Sequence, residues 1–234
     1  MNILAVIPAR GGSKGIPKKN LKEVCGKSLI TNALNCAYGS KHKMDVVVST
    51  DSLEILEHAK SIGYDSEYFR PLNLAQDDSL TVDVVLDVLS WSAEKNNKKY
   101  DLVVLLQPTS PLRLSSDLDA ALDLFFLSEN ATSLISVNPM HEHPVECLVT
   151  SPNGWTYLVE PEKGYNGRQC YNQNYFFING AIYICSCKYL HETHSFIDDK
   201  KSLLYEMPKI RAIDIDTDDD LIMANYLCKK MKLI

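Results

Sequence analysis

The sequence predicts an α/β protein, a mostly parallel sheet with helices on both faces. Three observations predict it. Ile3-Leu4-Ala5-Val6-Ile7 and Leu102-Val103-Val104-Leu105-Leu106 are short apolar runs without polar alternation, as in strands buried on both faces. Segments of helical periodicity alternate with such runs through the first half of the chain, joined by short loops. Each of the two runs also ends in an unusual loop, 8–20 and 107–113. In such sheets ligands bind beyond the carboxyl ends of the strands, so both loops are expected to face one crevice.

The elements follow in order. After the first loop, Leu29, Ile30, Ala33, Leu34 and Ala37 mark a helix from about Ser28 to Tyr38, ended by Gly39. Val46-Val47-Val48 is a second buried strand, followed by a helix running to Gly63. Asp51 with Glu54 resembles a capping box, so Asp51 is expected to cap that helix and stay outside the active site. Residues 65–69 form a candidate short strand. Ser79 to Glu94 reads as a helix with Val82, Val85, Leu86 and Leu89 on one face. The second buried run then leads into Gln107-Pro108-Thr109-Ser110-Pro111-Leu112-Arg113, a turn stiffened by two prolines. A helix from about Asp117 to Leu127 follows, with Ser116 and Asp119 as an expected capping pair. After Val137 the pattern changes. Two apolar runs flank Pro152-Asn153-Gly154, the signature of a hairpin. Ala181-Ile182-Tyr183-Ile184 returns to the sheet, and Ala212-Ile213-Asp214-Ile215-Asp216 reads as a last strand before a C-terminal helix.

Composition narrows the function. A chain of 234 residues, 45% hydrophobic and 23% charged, suits one globular domain over 1–234. A net charge of -6 and a pI near 5.5 argue against a surface built for nucleic acid. No apolar run is long enough to span a bilayer, and the N-terminus lacks a secretory pattern, so the expectation is a cytoplasmic protein without a membrane partner. The seven cysteines are expected to be free, mostly buried thiols. His141, His143, His191 and His194 lack a nearby third ligand and are expected to be surface or structural.

The first loop carries the chemistry. Ile7-Pro8-Ala9-Arg10-Gly11-Gly12-Ser13-Lys14-Gly15-Ile16-Pro17-Lys18-Lys19-Asn20 combines three glycines with four cations just beyond a buried strand. Backbone amides left uncovered by side chains, together with positive charge, suit a polyphosphate. The spacing is neither the dinucleotide fingerprint nor a Walker loop, and Pro17 stands where a Walker loop is already helical. Asp214 and Asp216, two apart on a strand, would share a face and suit Mg²⁺ opposite a triphosphate. The alternative is that Asp216 caps the last helix and Asp214 is solvated.

Arg10-Gly11-Gly12-Ser13-Lys14-Gly15 with Lys19-Asn20-Leu21 resembles the signature loop of the CMP-nonulosonate (sialic acid-type) cytidylyltransferases. The 107–113 turn, Arg168-Gln169, Asn179-Gly180-Ala181-Ile182-Tyr183-Ile184 and Ile213-Asp214-Ile215-Asp216-Thr217 are similar to further motifs of that family, in the same order. The resemblance implies a Rossmann-like nucleotide-diphospho-sugar transferase fold. It implies transfer of CMP from CTP to a nine-carbon nonulosonic acid, N-acylneuraminate first and legionaminate as the alternative. Arg10, Lys14, Lys19 and Asp214 would be catalytic, and Gly11, Gly12, Ser13, Asn20, Arg70 and Thr81 would join Arg10 in holding the nucleotide. Gln107, Thr109, Arg168 and Gln169 would hold the sugar, and Asp214 and Asp216 would hold Mg²⁺. It further implies a homodimer, with 138–178 as a dimerisation excursion. Two positions depart from the family pattern: Glu146 and Phe177 stand where members often carry Lys and Arg. The reading from another class is a catalytically silent nucleotide-binding protein on the same fold.

Overall fold

An interior strand of the sheet is β1 (Ile3–Pro8), whose side chains are claimed alternately by the two faces. Ile3, Ala5 and Ile7 belong to one core, and Leu4 and Val6 to the other. That division is the period of a strand, and both cores explain why the run has no polar side. The computed structural model describes residues 1–13, 15–64, 67–140, 142–161 and 174–232.

Beyond β1 lie the short hairpin strands β2 (Glu23–Val24) and β3 (Lys27–Ser28), then α1 (Leu29–Tyr38), β4 (Asp45–Ser49), α2 (Leu53–Ser61), α3 (Thr81–Asn96) and β5 (Leu102–Leu105). The chain continues through α4 (Ser115–Leu127), β6 (Ser133–Pro139), β7 (Leu148–Ser151), β8 (Gly154–Tyr157), β9 (Phe176–Ser186), α5 (Cys187–Thr193), β10 (Ser202–Glu206) and α6 (Asp218–Lys230). The six-stranded sheet has the order β10-β6-β9-β5-β1-β4. β1 is parallel to β4 and β5, β10 is parallel to β6, and only β9 runs antiparallel to its neighbours. α1, α2 and α4 cover one face through Ile30, Leu34, Ile55, Leu118 and Leu122. α3 and α5 cover the other through Val85, Val88, Leu89 and Leu190. Each fully buried Leu or Ile contributes about 2 kcal/mol. The expected layered α/β class is what the chain adopts.

A third, smaller core decides where the site sits. Ile16, Val24, Leu29, Leu112, Ile215, Ala224 and Cys228 pack together beside the sheet. They join the basic loop, the proline-rich turn and the segment before α6.

Several expectations need correction. Residues 212–216 form no strand; instead the Ile215 N–H donates to the Thr109 carbonyl at 2.8 Å. Residues 67–69 form no strand, and 65 and 66 lie outside the described residues. α2 is capped by Ser52, whose hydroxyl accepts from the Ile55 N–H, and not by Asp51. α4 is not capped by Ser116 and Asp119; the Asp117 carboxylate accepts the Leu114 N–H at 2.9 Å. Cys25 and Cys228 are joined by a disulfide across 203 residues of sequence, while Cys36, Cys185 and Cys187 are free and buried as expected. β6, β10 and α5 are additional elements. The β7–β8 hairpin is present, and all its residues are exposed. The main sheet holds the excursion's ends, since Pro139 pairs with Phe176 and Asn138 with Phe177.

Candidate active site

A cleft of about 560 Å³ opens at the carboxyl ends of β1 and β5. Its lining comes from four stretches far apart in sequence: the basic loop, residues 70–84, the 107–109 turn, and Asp214 with Asp216. The size falls within the usual range for small-molecule sites.

The basic loop is pinned at several points. The Asn20 side chain, buried beneath it, donates to the Arg10 carbonyl at 2.9 Å. The Gly11 N–H donates to Asp51 Oδ1 at 2.8 Å. That amide is therefore taken up by the protein, and Gly11 contributes shape rather than a phosphate donor: a Cβ there would stand 2.9 Å from Ser52 Cβ. Asp51 is thus part of the loop's support. Lys19 Nζ donates to the Ile215 carbonyl at 2.8 Å and to Asp216 Oδ1 at 3.0 Å. Arg10 pairs with Asp77 at 2.7 Å.

Gly15 fixes the distance between the two halves of the site. A Cβ on it would lie 2.6 Å from the Asp216 carbonyl oxygen, which is backbone and has no rotamer to yield. Gly15→Ala is expected to push the acidic segment out of register and lower turnover about 100-fold, the scale of a misplacement near 1 Å. Steady-state kinetics checks this, with a circular-dichroism melt to show that the variant folds.

Arg70 is buried, with Nε on Ser49 Oγ at 2.9 Å and an Nη on the Ser49 carbonyl at 2.7 Å. Its burial lowers the guanidinium pKa. Thr81 is the first residue of α3, and no side chain caps that helix end. Asp214 faces the cleft, yet the wall around it pushes its carboxyl above the usual carboxylate range; the Thr109 hydroxyl opposes this and neighbouring Asp216 adds to it. Arg113 is buried behind the turn and holds it by donating to the Gln107 and Ala181 carbonyls at 3.2 and 2.5 Å.

Of the residues expected from sequence, Arg10, Ser13, Lys19, Asn20, Arg70, Thr81, Gln107, Thr109, Asp214 and Asp216 line this one cleft. Gly11 and Gly12 stand in the loop behind it, and Lys14, Arg168 and Gln169 lie outside the described residues. Asp51, Asp77 and Arg113 are supports that the sequence reading did not select. Among the described residues no three His, Cys, Asp or Glu side chains could hold a metal ion by themselves. Two carboxylates still fit a hard cation that completes its shell with phosphate oxygens and water. Burial first, and the neighbouring Asp216 in addition, disfavour the ionised Asp214 carboxyl, a cost that a cation beside both carboxylates would offset. No helix among the described residues is long and apolar enough to cross a membrane.

Comparison with known proteins agrees with this fold. A solved CMP:2-keto-3-deoxy-manno-octonic acid synthetase complexed with CTP has the same fold, with a TM-score of 0.71 at 16% identity over 99% of this chain and 100% of that one. A CMP-N,N'-diacetyllegionaminic acid synthase of Legionella pneumophila is 35% identical over 228 residues, 97% of this chain and 96% of that protein. An N-acylneuraminate cytidylyltransferase of Streptococcus agalactiae is 33% identical over 226 residues, 95% of this chain but 52% of that protein. The family described as cytidylyltransferase matches residues 4–176. With the fold, the cleft and these likenesses in agreement, the chain belongs to the cytidylyltransferase family.

Proposed function

We propose that the protein transfers CMP from CTP to a sialic-type nonulosonic acid and releases pyrophosphate, in the cytoplasm where CTP is made. The observation that supports this most is the meeting of basic loop, Gln107–Thr109 turn and paired carboxylates in one cleft. The acceptor's anomeric hydroxyl attacks the α-phosphorus in line with the departing pyrophosphate. Arg10 and Lys19, with Lys14, take the triphosphate oxygens. Arg70, Thr81 and Asn20 face the nucleoside, with the loop's Gly11, Gly12 and Ser13 shaping its seat. Gln107 and Thr109 face the acceptor, and Arg168 and Gln169 are assigned to it by their motif alone. Asp214 and Asp216 would hold Mg²⁺, which offsets the charge that develops on the phosphates. Catalysis of this kind rests on positioning and electrostatics.

The acceptor divides into two readings. N-acylneuraminate is the broad expectation. Legionaminate is favoured by Phe177, whose apolar side chain is exposed on β9, and by Glu146, a carboxylate where the family often has a cation. The apolar side chain at 177 suits a deoxygenated, diacylated sugar. Pyrophosphate release with CTP and Mg²⁺ against a panel of nonulosonates tests the proposal. Turnover with legionaminate above N-acylneuraminate is expected. Release with UTP or GTP instead of CTP would sink it, and CTP binding without release from any acceptor would favour a silent binder.

A homodimer is part of the same reading. Leu148, Val149, Trp155 and Tyr157 of the hairpin, with Ile178, expose apolar surface that a second copy would cover. Sedimentation is expected to give a dimer.

A further inference from the structure

The Arg10 guanidinium is engaged by the protein itself. Its Nη1 donates to Asp77 Oδ1 at 2.7 Å and to the Gln76 carbonyl at 3.2 Å. Asp77 belongs to the stretch between Arg70 and α3, and it lines the same cleft as the basic loop. That stretch is stiffened from within. The Gln76 N–H donates to Ser79 Oγ at 3.0 Å, Ser79 Oγ reaches the Asn73 carbonyl at 3.3 Å, and Gln76 Nε2 reaches the Leu72 carbonyl at 2.6 Å. These bonds order the residues on either side of Asp77, whose carboxylate meets Arg10.

A carboxylate at this place is unexpected for a site that must take a polyanion. Lys19 is paired with Asp216, but Asp216 has a reason to be there if the cleft holds a cation. Asp77 has none in the reaction as proposed above. The two side chains of its pair are 31% and 52% exposed, so the pair is solvated and weak enough to exchange. A triphosphate offers Arg10 more charge and more acceptor oxygens than one carboxylate does. Once it is seated, Asp77 remains beside it as a like charge.

We infer that Asp77 is the counter-ion that holds Arg10 at the cleft, yields it to the polyphosphate on binding, and by its repulsion limits how tightly CTP and pyrophosphate are retained. Asp77 acts through Arg10 and touches no reacting atom, so it is a positioning residue. The inference rests on the reading of the cleft as a triphosphate site.

The test is Asp77→Asn, which keeps the shape and removes the charge at an exposed position. The KM for CTP and the inhibition constant of pyrophosphate are each expected to fall about two- to fivefold, the scale of one solvated charge interaction. No gain in kcat is expected, since product leaves more slowly. Asp77→Glu, which keeps the charge, restores most of the difference. Raising the salt concentration narrows the gap between parent and Asn variant. A higher KM for CTP in Asp77→Asn overturns the inference, because it makes Asp77 a support for binding and not a brake on it. Unchanged constants in an active parent also overturn it while leaving the proposed reaction intact. Calorimetry with CTP separates the remaining case: a parent that neither binds CTP nor releases pyrophosphate refutes the reading of the cleft, and this inference falls with it.

Discussion

Asp214→Asn is expected to leave CTP affinity within about threefold of the parent and to slow pyrophosphate release by about a thousandfold, the scale seen when one charge-stabilising group is lost. An amide has nearly the shape of the carboxylate, and the Thr109 hydroxyl beside it can still find a partner. It cannot serve as an anionic ligand for a hard cation. The direction of the pKa makes the case sharper. Burial first, and Asp216 in addition, raise the Asp214 carboxyl above its ordinary value. A carboxyl raised in the folded state contributes stability at low pH that is lost as pH rises through the folded value. At neutral pH the ionised Asp214 is therefore a cost to the fold. The Asn variant is expected to melt no lower than the parent near pH 7, with any advantage vanishing in acid. Parent-like turnover in Asp214→Asn would remove Asp214 from the site.

The elements that the sequence made legible are those whose signal is local. The β1 and β5 runs need no partner to be recognised, because an apolar stretch without alternation has few other uses. The loops 8–20 and 107–113 announced themselves by composition, and their common position followed from strand order. Segment 212–216 shows where local reasoning stops. Its alternation was correct in substance, since Ile213 and Ile215 enter the third core while Asp214 and Asp216 face the cleft. No neighbouring strand is there to pair with it, however, and period alone carries no information about neighbours. Asp51 and Ser52 are adjacent residues of cap-forming type, and spacing does not choose between them. Ser52 takes the cap, which leaves Asp51 to hold Gly11 from 40 residues away. The Cys25–Cys228 bond and the Arg10–Asp77 pair are likewise facts of the folded chain, invisible to periodicity. β10 was missed for another reason: it is a short, half-exposed edge strand, whose composition is little different from a loop.

The second large effect is expected at Asp117, far from the substrates. Its side chain is 1% exposed. It accepts two bonds from Arg211, Nε at 2.9 Å and an Nη at 2.5 Å, one from the Tyr205 hydroxyl at 3.2 Å, and the Leu114 N–H that starts α4. The hydrogen bond to Asp117 raises the Arg211 guanidinium pKa further. Asp117→Ala would strand that guanidinium, the tyrosine hydroxyl and a helix-end amide together. Breaking such a pair typically costs about 3 kcal/mol, and for a domain of this size that lowers the melting temperature by about 6–12 °C. Removing the solvated Lys18–Glu54 pair with Glu54→Gln should cost less than about 1 kcal/mol, because both partners are more than half exposed. The contrast between the two melts is the test, since it holds protein, buffer and method constant. Activity should follow the same ranking at temperatures where both variants are folded. Arg211 stands three residues before Asp214, and α4 follows directly on the 107–113 turn. The Asp117–Arg211 pair therefore ties the acidic segment to the turn that carries Gln107 and Thr109. If Asp117→Ala melts no lower than Glu54→Gln, that tie is not what fixes the acidic segment. The weight would then rest on Lys19, whose ammonium holds the same segment from the cleft side through Ile215 and Asp216.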